Sequence, residues 1–347
     1  MKGHLVIMDQ LAGRGAAARL VDGRLIDLIF DPSDGTLSPG AIYRAKATRA
    51  MKGQGGLVVD LGQGGRGYLR GAKGIKEGAT LLVQVGTYAE QGKAAPVMTK
   101  LVFKGRNAII TPDNPGINVA RSIRDANVAD GLREIAHEVI GQAAHSFGVI
   151  LRSAAATNPK EQIIEELTNL AALAETVTSD LSGPPELLLD APLAADVVWC
   201  EWGDPVPDEV IEETGSFDHL GILDQIDAAQ GPKVMLAGGG SMMIEPTTAL
   251  IAVDVNTGPD MSLAAGLKAN IAAAKDLPRI LRIKGLGGQI VIDFAPVPKK
   301  DRRVIEQALR AALKACPVDT ALVGWTPLGH FELQRKRERQ PLNEVLE

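Results

Sequence analysis

Ala249-Leu250-Ile251-Ala252-Val253-Asp254-Val255-Asn256-Thr257-Gly258 and Gly287-Gly288-Gln289-Ile290-Val291-Ile292-Asp293-Phe294 decide how this sequence is read. Each is a short β-branched run that reaches an aspartate. Near-continuous apolar runs suit central strands, and they predict burial on both faces. The segment between them, residues 261–286, reads as a helix, with Pro278 as a possible kink site. Strand, helix and strand then give two parallel neighbours, with Asp254 and Asp293 at comparable heights. Both lie near the carboxyl ends of their strands, where open α/β sheets bind ligands. A carboxylate inside such a sheet is costly unless something compensates it. Two side by side are most simply explained by a shared divalent cation. Oxygen donors, with the carboxamide of Asn256 nearby, favour Mg²⁺ or Mn²⁺. The pattern predicts a metal-dependent hydrolase acting on a phosphodiester. The competing reading makes both aspartates structural caps of the loops that follow.

The bulk numbers narrow the class. A chain of 347 residues has room for more than one domain. Mean hydropathy of +0.05 and 45% hydrophobic residues describe an ordinary globular protein. No apolar run reaches the length of a membrane span, so no membrane partner is expected. The apolar stretch after Met1 is too short for a secretory signal, and the expected location is the cytoplasm. Cys200 and Cys316 are isolated, which leaves no sequence case for zinc or a redox pair.

A net charge of −5 argues against nucleic acid only until its distribution is considered. Residues 161–230 hold 17 Asp and Glu and no Lys or Arg, so the remaining sequence sets 37 basic residues against 25 acidic ones. Residues 275–340 alone hold 14 basic and 7 acidic residues. This segregation fits a basic surface on one side of the molecule. A pair of solvated faces without a partner would show the same counts.

Residues 1–37 alternate apolar and polar positions, and Asp22-Gly23 is a hairpin turn signal. Short strands at 41–48, 56–61, 67–69, 80–85 and 97–103, separated by glycine turns, predict a small closed barrel of the OB type. Its exposed positions are expected to carry Arg44, Lys46, Arg49, Tyr68, Lys93 and Lys100, a surface suited to single-stranded nucleic acid. Helical patterns follow at 130–147 and 160–179. Between them the strand Gly148-Val149-Ile150-Leu151 ends in Arg152-Ser153, a guanidinium and a hydroxyl that can hold a phosphate. A further helix is expected at about 217–230. None of His4, His137, His145, His219 and His330 falls in a catalytic motif, although His330 adjoins Gly329.

These residues resemble the ribonuclease E/G family. Residues 245–294, with Ala252-Val253-Asp254-Val255-Asn256, Asn270, Arg279, Leu281-Arg282, Leu286-Gly287-Gly288 and Ile290-Val291-Ile292-Asp293-Phe294, look like its catalytic core. Gly40-Ala41-Ile42-Tyr43-Arg44, Val59-Asp60 and Gly67-Tyr68-Leu69 are similar to its RNA-binding barrel. Asn114-Pro115, Arg121 and the strand ending in Arg152-Ser153 resemble its 5′-sensor region. Gly329, Glu332, Arg335 and Arg337 resemble the motif that closes its catalytic domain.

The resemblance implies an α/β composite fold. A ribonuclease H-like part would take residues 1–38 and 181–233. An OB-type barrel (39–106) and a 5′-sensor region (107–180) would be inserted in it, and a DNase I-like catalytic domain (234–347) would follow. It implies a Mg²⁺-dependent endoribonuclease cutting single-stranded RNA, preferably near a 5′-monophosphate. Asp254 and Asp293 would ligate the metal, and Asn256 would orient the attacking water or the scissile phosphate. Arg152 and Ser153 would hold the 5′-phosphate, with serine where the family usually has threonine. Tyr68, Lys93, Arg121, Arg282, Arg335 and Arg337 would contact RNA. Val58 stands at an aromatic position of the family, Pro327 at an arginine and Ala272 at a glutamate. The family's paired-cysteine zinc link would fall after Glu347, so the expectation is no zinc and a monomer or a dimer without that link. The alternative function is an RNA-binding protein on the same scaffold that cuts poorly.

Overall fold

Two left-handed turns fold the first thirty residues into a meander in the computed structural model of this protein. Its described residues are 2–51, 53, 55–112, 114–141, 147–260, 262 and 264–347. His145, the turn positions Lys52 and Gln54, and Met261 at the expected helix start lie outside them. Asp22 and Gly23 adopt φ of 50° and 76°, both positive, as tight hairpins between twisted strands require. Ala12 and Gly13 do the same at 51° and 75°, a turn the sequence does not advertise because alanine seldom takes this conformation.

The chain divides into two units, residues 1–30 with 209–347, and residues 31–208. In the first unit the meander strands His4–Leu11, Arg14–Val21 and Arg24–Phe30 form a four-stranded sheet, with Glu209–Ile211 added parallel to the first. Leu5, Ile7, Leu20 and Leu28 pack with Phe217, Ile222 and Ile226. These last come from two helices, Ser216–His219 and Ile222–Gln230. Gly221, at φ +65°, separates them, where a single helix over 217–230 was expected.

The rest of the first unit is a six-stranded sheet in the order Lys233–Met235, Ser241–Pro246, Ile251–Asn256, Gly288–Asp293, Phe331–Arg335, Thr320–Trp325. Its two central strands are parallel, and Asp254 pairs with Asp293 in their register. Helix Ala265–Ile283 makes the crossover and continues through Pro278. It packs with helix Arg302–Lys314 over one face of the sheet, burying Val253, Val255, Ile290 and Ile292 against Ala273, Leu277, Ile305 and Leu309.

The opposite face is open, which corrects the expectation of burial on both sides. Burial alternates strictly along both strands: Ile251, Val253 and Val255 are inside, while Asp254 and Asn256 are exposed. Ile290 and Ile292 are inside, while Gln289 and Asp293 are exposed. Ala252 and Val291, partly buried on the open face, make a period-two strand look like an apolar run. The aspartates therefore carry no desolvation penalty that a metal must offset.

In the second unit, strands Ile42–Met51, Gly56–Asp60, Arg66–Arg70, Ala95–Met98 and Thr80–Val85 close a five-stranded barrel, the last pairing back with the first. Leu57, Val59, Leu69, Val83 and Val97 fill it. The fifth strand in chain order is Ala95–Met98 rather than 97–103, and Phe103–Lys104 belongs to the next sheet. That sheet runs Gly116–Val119, Phe147–Leu151, Ala108–Pro112, Phe103–Lys104. Helices Ala126–Ile140 and Lys160–Ser179 pack with it through Leu132, Ala136, Ile163 and Leu167. Asp125 caps the first of these helices, accepting from the amides of Asn127 and Val128.

Candidate active site

Asp254 and Asp293 stand side by side on the open sheet face, on adjacent parallel strands and in the same register. Neighbouring strands lie about 4.8 Å apart, so the carboxylates project from one ledge. Asn256, two residues beyond Asp254 and therefore on the same face, donates from Nδ2 to Asp254 Oδ2 at 2.7 Å. His330 Nε2 lies 3.8 Å from Asp293 Oδ1 on the other side. The row thus reads Asn256, Asp254, Asp293, His330, with Glu332 opposite Val291 one step back along the sheet.

Two clamps fix the ledge. Asn270, fully buried in the crossover helix, donates to the Ala295 carbonyl at 2.8 Å and accepts from the Ala295 amide at 2.9 Å. Both main-chain hydrogen-bonding groups of one residue are satisfied by one carboxamide, which pins the chain just after Asp293. Beyond Asn256, Gly258 takes φ +67° and packs on the Gly239 main chain, so any side chain there would collide. At the far edge Arg302 stacks on Trp325, its Cζ 4.6 Å from the ring centroid. A Cβ placed at Gly329 would lie 3.0 Å from Arg302 Nη2, so this guanidinium sits beside the residue that precedes His330. Arg302 had no sequence signal, because it opens the helix after the Asp293 strand and only the fold returns it to the site.

Among the described residues no three or more His, Cys, Asp or Glu side chains gather into a closed metal cage. Two exposed carboxylates and a carboxamide oxygen instead suit an ion that keeps several waters. Mg²⁺ is such an ion, usually held by one or two carboxylates together with substrate phosphate. The oxygen donors present are of the kind that Mg²⁺ and Mn²⁺ take.

Arg282 and Arg335 occupy a different place from the one expected. Both are buried, at 8% and 1% exposure, inside the first unit. Arg335 Nη1 donates to Thr320 Oγ1 at 2.8 Å, and both its terminal nitrogens reach Cys316 Sγ at 3.5–3.6 Å. Arg282 donates to the same sulfur at 3.1 Å and to the Ile26 carbonyl at 2.8 Å, and it pairs with buried Asp27 at 3.3 Å. Burial raises the pKa of the Cys316 thiol, but Arg335 and Arg282 outweigh it and hold it below the ordinary thiol value. These guanidiniums link the crossover helix, the last strand and the meander, and they are not presented to a ligand. Arg337 is partly buried with its guanidinium against Gly288.

In the second unit Arg152 and Ser153 line a small pocket of about 130 Å³. Arg106, Glu201, Gly203 and Asp204 line it too. The Gly105–Ala108 loop is held by Glu166, which accepts from the Asn107 and Ala108 amides at 2.7 and 3.0 Å. That loop then accepts from Arg152: the Asn107 carbonyl from its amide at 2.7 Å, and the Gly105 carbonyl from Nη1 at 2.6 Å. Arg106, a second guanidinium that the sequence did not single out, stacks on Trp199 at 4.6 Å. Cys200 also lines the pocket, and burial pushes its thiol up to about 11.

On the barrel, Tyr68 pairs with Val58 across neighbouring strands and lies against Gly56, half-buried. Lys93 is exposed and ion-paired with Glu90. Arg121 is exposed in the turn after Gly116–Val119. Arg44, expected on the outside, is buried and bound to Asp180, Glu186 and the Pro184 carbonyl. It fastens the Glu186–Leu189 strand to the barrel instead of offering charge to a ligand.

Comparison with known sequences adds an independent line. The family model described as Ribonuclease E/G family matches residues 102–212 and 206–338. Ribonuclease G of Salmonella typhimurium is 24% identical, over 88% of this chain and 74% of its own length. Ribonuclease G of Haemophilus influenzae is 25% identical with the same coverage. Ribonuclease E of Escherichia coli is 26% identical over 94% of this chain, which spans only 36% of that longer protein.

Proposed function

The chain belongs to the ribonuclease E/G family, and from that membership we propose an endoribonuclease that hydrolyses phosphodiester bonds in single-stranded RNA during RNA processing. The observation that carries the reading is the parallel register of Asp254 with Asp293 on an open sheet face, with Asn256 hydrogen-bonded into the pair. We assign the six-stranded sheet and its two helices to a DNase I-like catalytic part, the meander to a ribonuclease H-like part, and the barrel to RNA binding. Among the described residues no helix is long and apolar enough to cross a membrane. We place the protein in the cytoplasm, in keeping with two free cysteines.

Asp254 and Asp293 would hold a Mg²⁺ ion, or Mn²⁺ in its place. Such an ion would supply Lewis-acid chemistry, making water more acidic and offsetting charge on the scissile phosphate. Asn256, anchored by Asp254, turns its carboxamide toward the attacking water or a phosphate oxygen. Arg302 supplies a cation at the same edge of the sheet, where Pro327 offers none. Arg302→Ala is expected to lower kcat/KM about 10- to 100-fold, the worth of one charged hydrogen bond. Arg302→Lys should recover part of that loss. Cleavage rates on one oligonucleotide check this, and an unchanged rate removes Arg302 from the site.

Arg152 and Ser153 receive the 5′-monophosphate, a dianion with three acceptor oxygens that a guanidinium and a hydroxyl match. The test uses a 3′-labelled single-stranded RNA prepared with either 5′-phosphate or 5′-hydroxyl. Metal-dependent products, formed faster from the phosphorylated form, are expected. Arg152→Ala should bring the two rates together. RNA binding that persists in EDTA, with no products once Mg²⁺ is restored, would sink the enzyme in favour of a binding protein.

A further inference from the structure

Glu201 occupies the position in the Arg152 pocket where an incoming anion would bind. Arg152 Nη2 donates to Glu201 Oε2 at 2.7 Å, while Nη1 is held by the Gly105 carbonyl at 2.6 Å. The two contacts differ in kind. The carbonyl belongs to a loop clamped by Glu166 and orients the guanidinium. The carboxylate is a charged, replaceable acceptor at the pocket rim, one third exposed.

We propose that Glu201 is a built-in competitor for the RNA 5′-phosphate, a reading that rests on assigning this pocket to the 5′ end. Glu201 is the last residue of helix Ala194–Glu201, which has no basic residue in its final turn. A carboxylate is disfavoured there, because the carbonyl end of a helix carries partial negative charge. Its pairing with Arg152 offsets that repulsion, and a phosphate that takes Arg152 leaves Glu201 free to turn into solvent.

The rest of the pocket shows what such an anion gains. Arg106 lies beside Gly203, where a Cβ would come within 2.8 Å of its Cζ, and its Nε is buried without a hydrogen-bond partner. Arg106 and Arg152 share the pocket lining with Glu201 and Asp204, so the formal charges of the lining balance. A singly charged group exchanges one for one with Glu201 and gains little. A terminal phosphate brings about two negative charges and three acceptors, enough to engage Arg152, Arg106 and Ser153 together. Glu201 therefore raises the threshold that the terminal phosphate must overcome to occupy the pocket.

The experiment measures binding without Mg²⁺, so that cleavage does not interfere. Fluorescence anisotropy gives the affinity of one short RNA carrying either a 5′-phosphate or a 5′-hydroxyl. Wild type, Glu201→Gln, Glu201→Ala and Arg152→Ala are compared. Both Glu201 variants should increase the preference for the 5′-phosphate about tenfold, the scale of one charge-assisted contact. The ratio matters because loss of a negative charge strengthens binding to any RNA, equally for both ends. A smaller ratio would make Glu201 a positioning residue for Arg152 and overturn the proposal. An unchanged ratio, with Arg152→Ala still abolishing the preference, would also overturn it while leaving the sensor standing. No preference in the wild type, and none lost in Arg152→Ala, would remove the sensor and the competitor together.

Discussion

Asp254→Asn and Asp293→Asn are each expected to reduce RNA cleavage by at least about 10³-fold, the several kcal/mol that a metal's charge stabilisation is worth. RNA affinity and folding stability should hardly change. Both side chains are exposed on the open sheet face, and surface substitutions usually shift stability by no more than about 0.5 kcal/mol. The amide is nearly isosteric with the carboxylate but brings no charge to the ion. The double variant should be little worse than either single one, because both carboxylates act as one unit and losing one disables it. Raising Mg²⁺ should recover part of the single variants' activity if weakened metal binding is the defect. Cleavage assays across a Mg²⁺ series, with urea unfolding as the control, decide the matter. Either variant cutting at the wild-type rate would show that the ledge is not the catalytic centre.

That ledge was legible because strand–helix–strand logic sets register as well as direction. Two apolar runs ending on aspartate, joined by one helix, leave little choice but to align Asp254 with Asp293. Their environment was not legible. Ala252 and Val291 fill the positions that would otherwise have shown polar alternation, so strands open on one face read as strands buried on both. Arg282 and Arg335 misled for a related reason: sequence shows a charge in a motif, not which side of the backbone it leaves. Arg282 turns to the meander and to Cys316, and Arg335 to Cys316 and Thr320, partners that only the tertiary fold brings to them. Arg106, Arg302 and Glu201 were invisible because tertiary structure alone delivers them. Arg106 needs the Glu166 clamp, Arg302 needs the helix after the Asp293 strand, and Glu201 needs the acidic segment folded back on the sensor strand. That segment, for which a solvated face was one open reading, supplies Asp180 and Glu186 to Arg44 and Glu201 to Arg152.

Arg335→Ala is the variant expected to separate structure from recognition most sharply. If Arg335 were an RNA contact, its loss would weaken binding uniformly and reduce the salt dependence by about one phosphate. Its surroundings predict otherwise. Arg335 is 1% exposed, and it shares Cys316 with Arg282, which in turn meets Asp27. Arg339 also approaches Asp27, at 3.6 Å. Truncating so large a buried side chain leaves a cavity beside Cys316 and Thr320, at a cost of about 2–5 kcal/mol, of which relief from repulsion by Arg282 and Arg339 offsets only part. A large fall in the urea midpoint is therefore expected. RNA affinity, measured where the variant is still folded, should match the wild type with an unchanged salt slope. Cys316 should also respond. Once Arg335 no longer favours the thiolate, the thiol should titrate at higher pH, and iodoacetamide under native conditions should modify it more slowly at a given pH. Arg335→Met should lose less stability than Arg335→Ala, because a methionine fills the space and removes a charge that was expensive to bury. A variant with wild-type stability and a shallower salt slope would return Arg335 to the RNA surface. The charge around Cys316 would then have to be balanced by Arg282 alone.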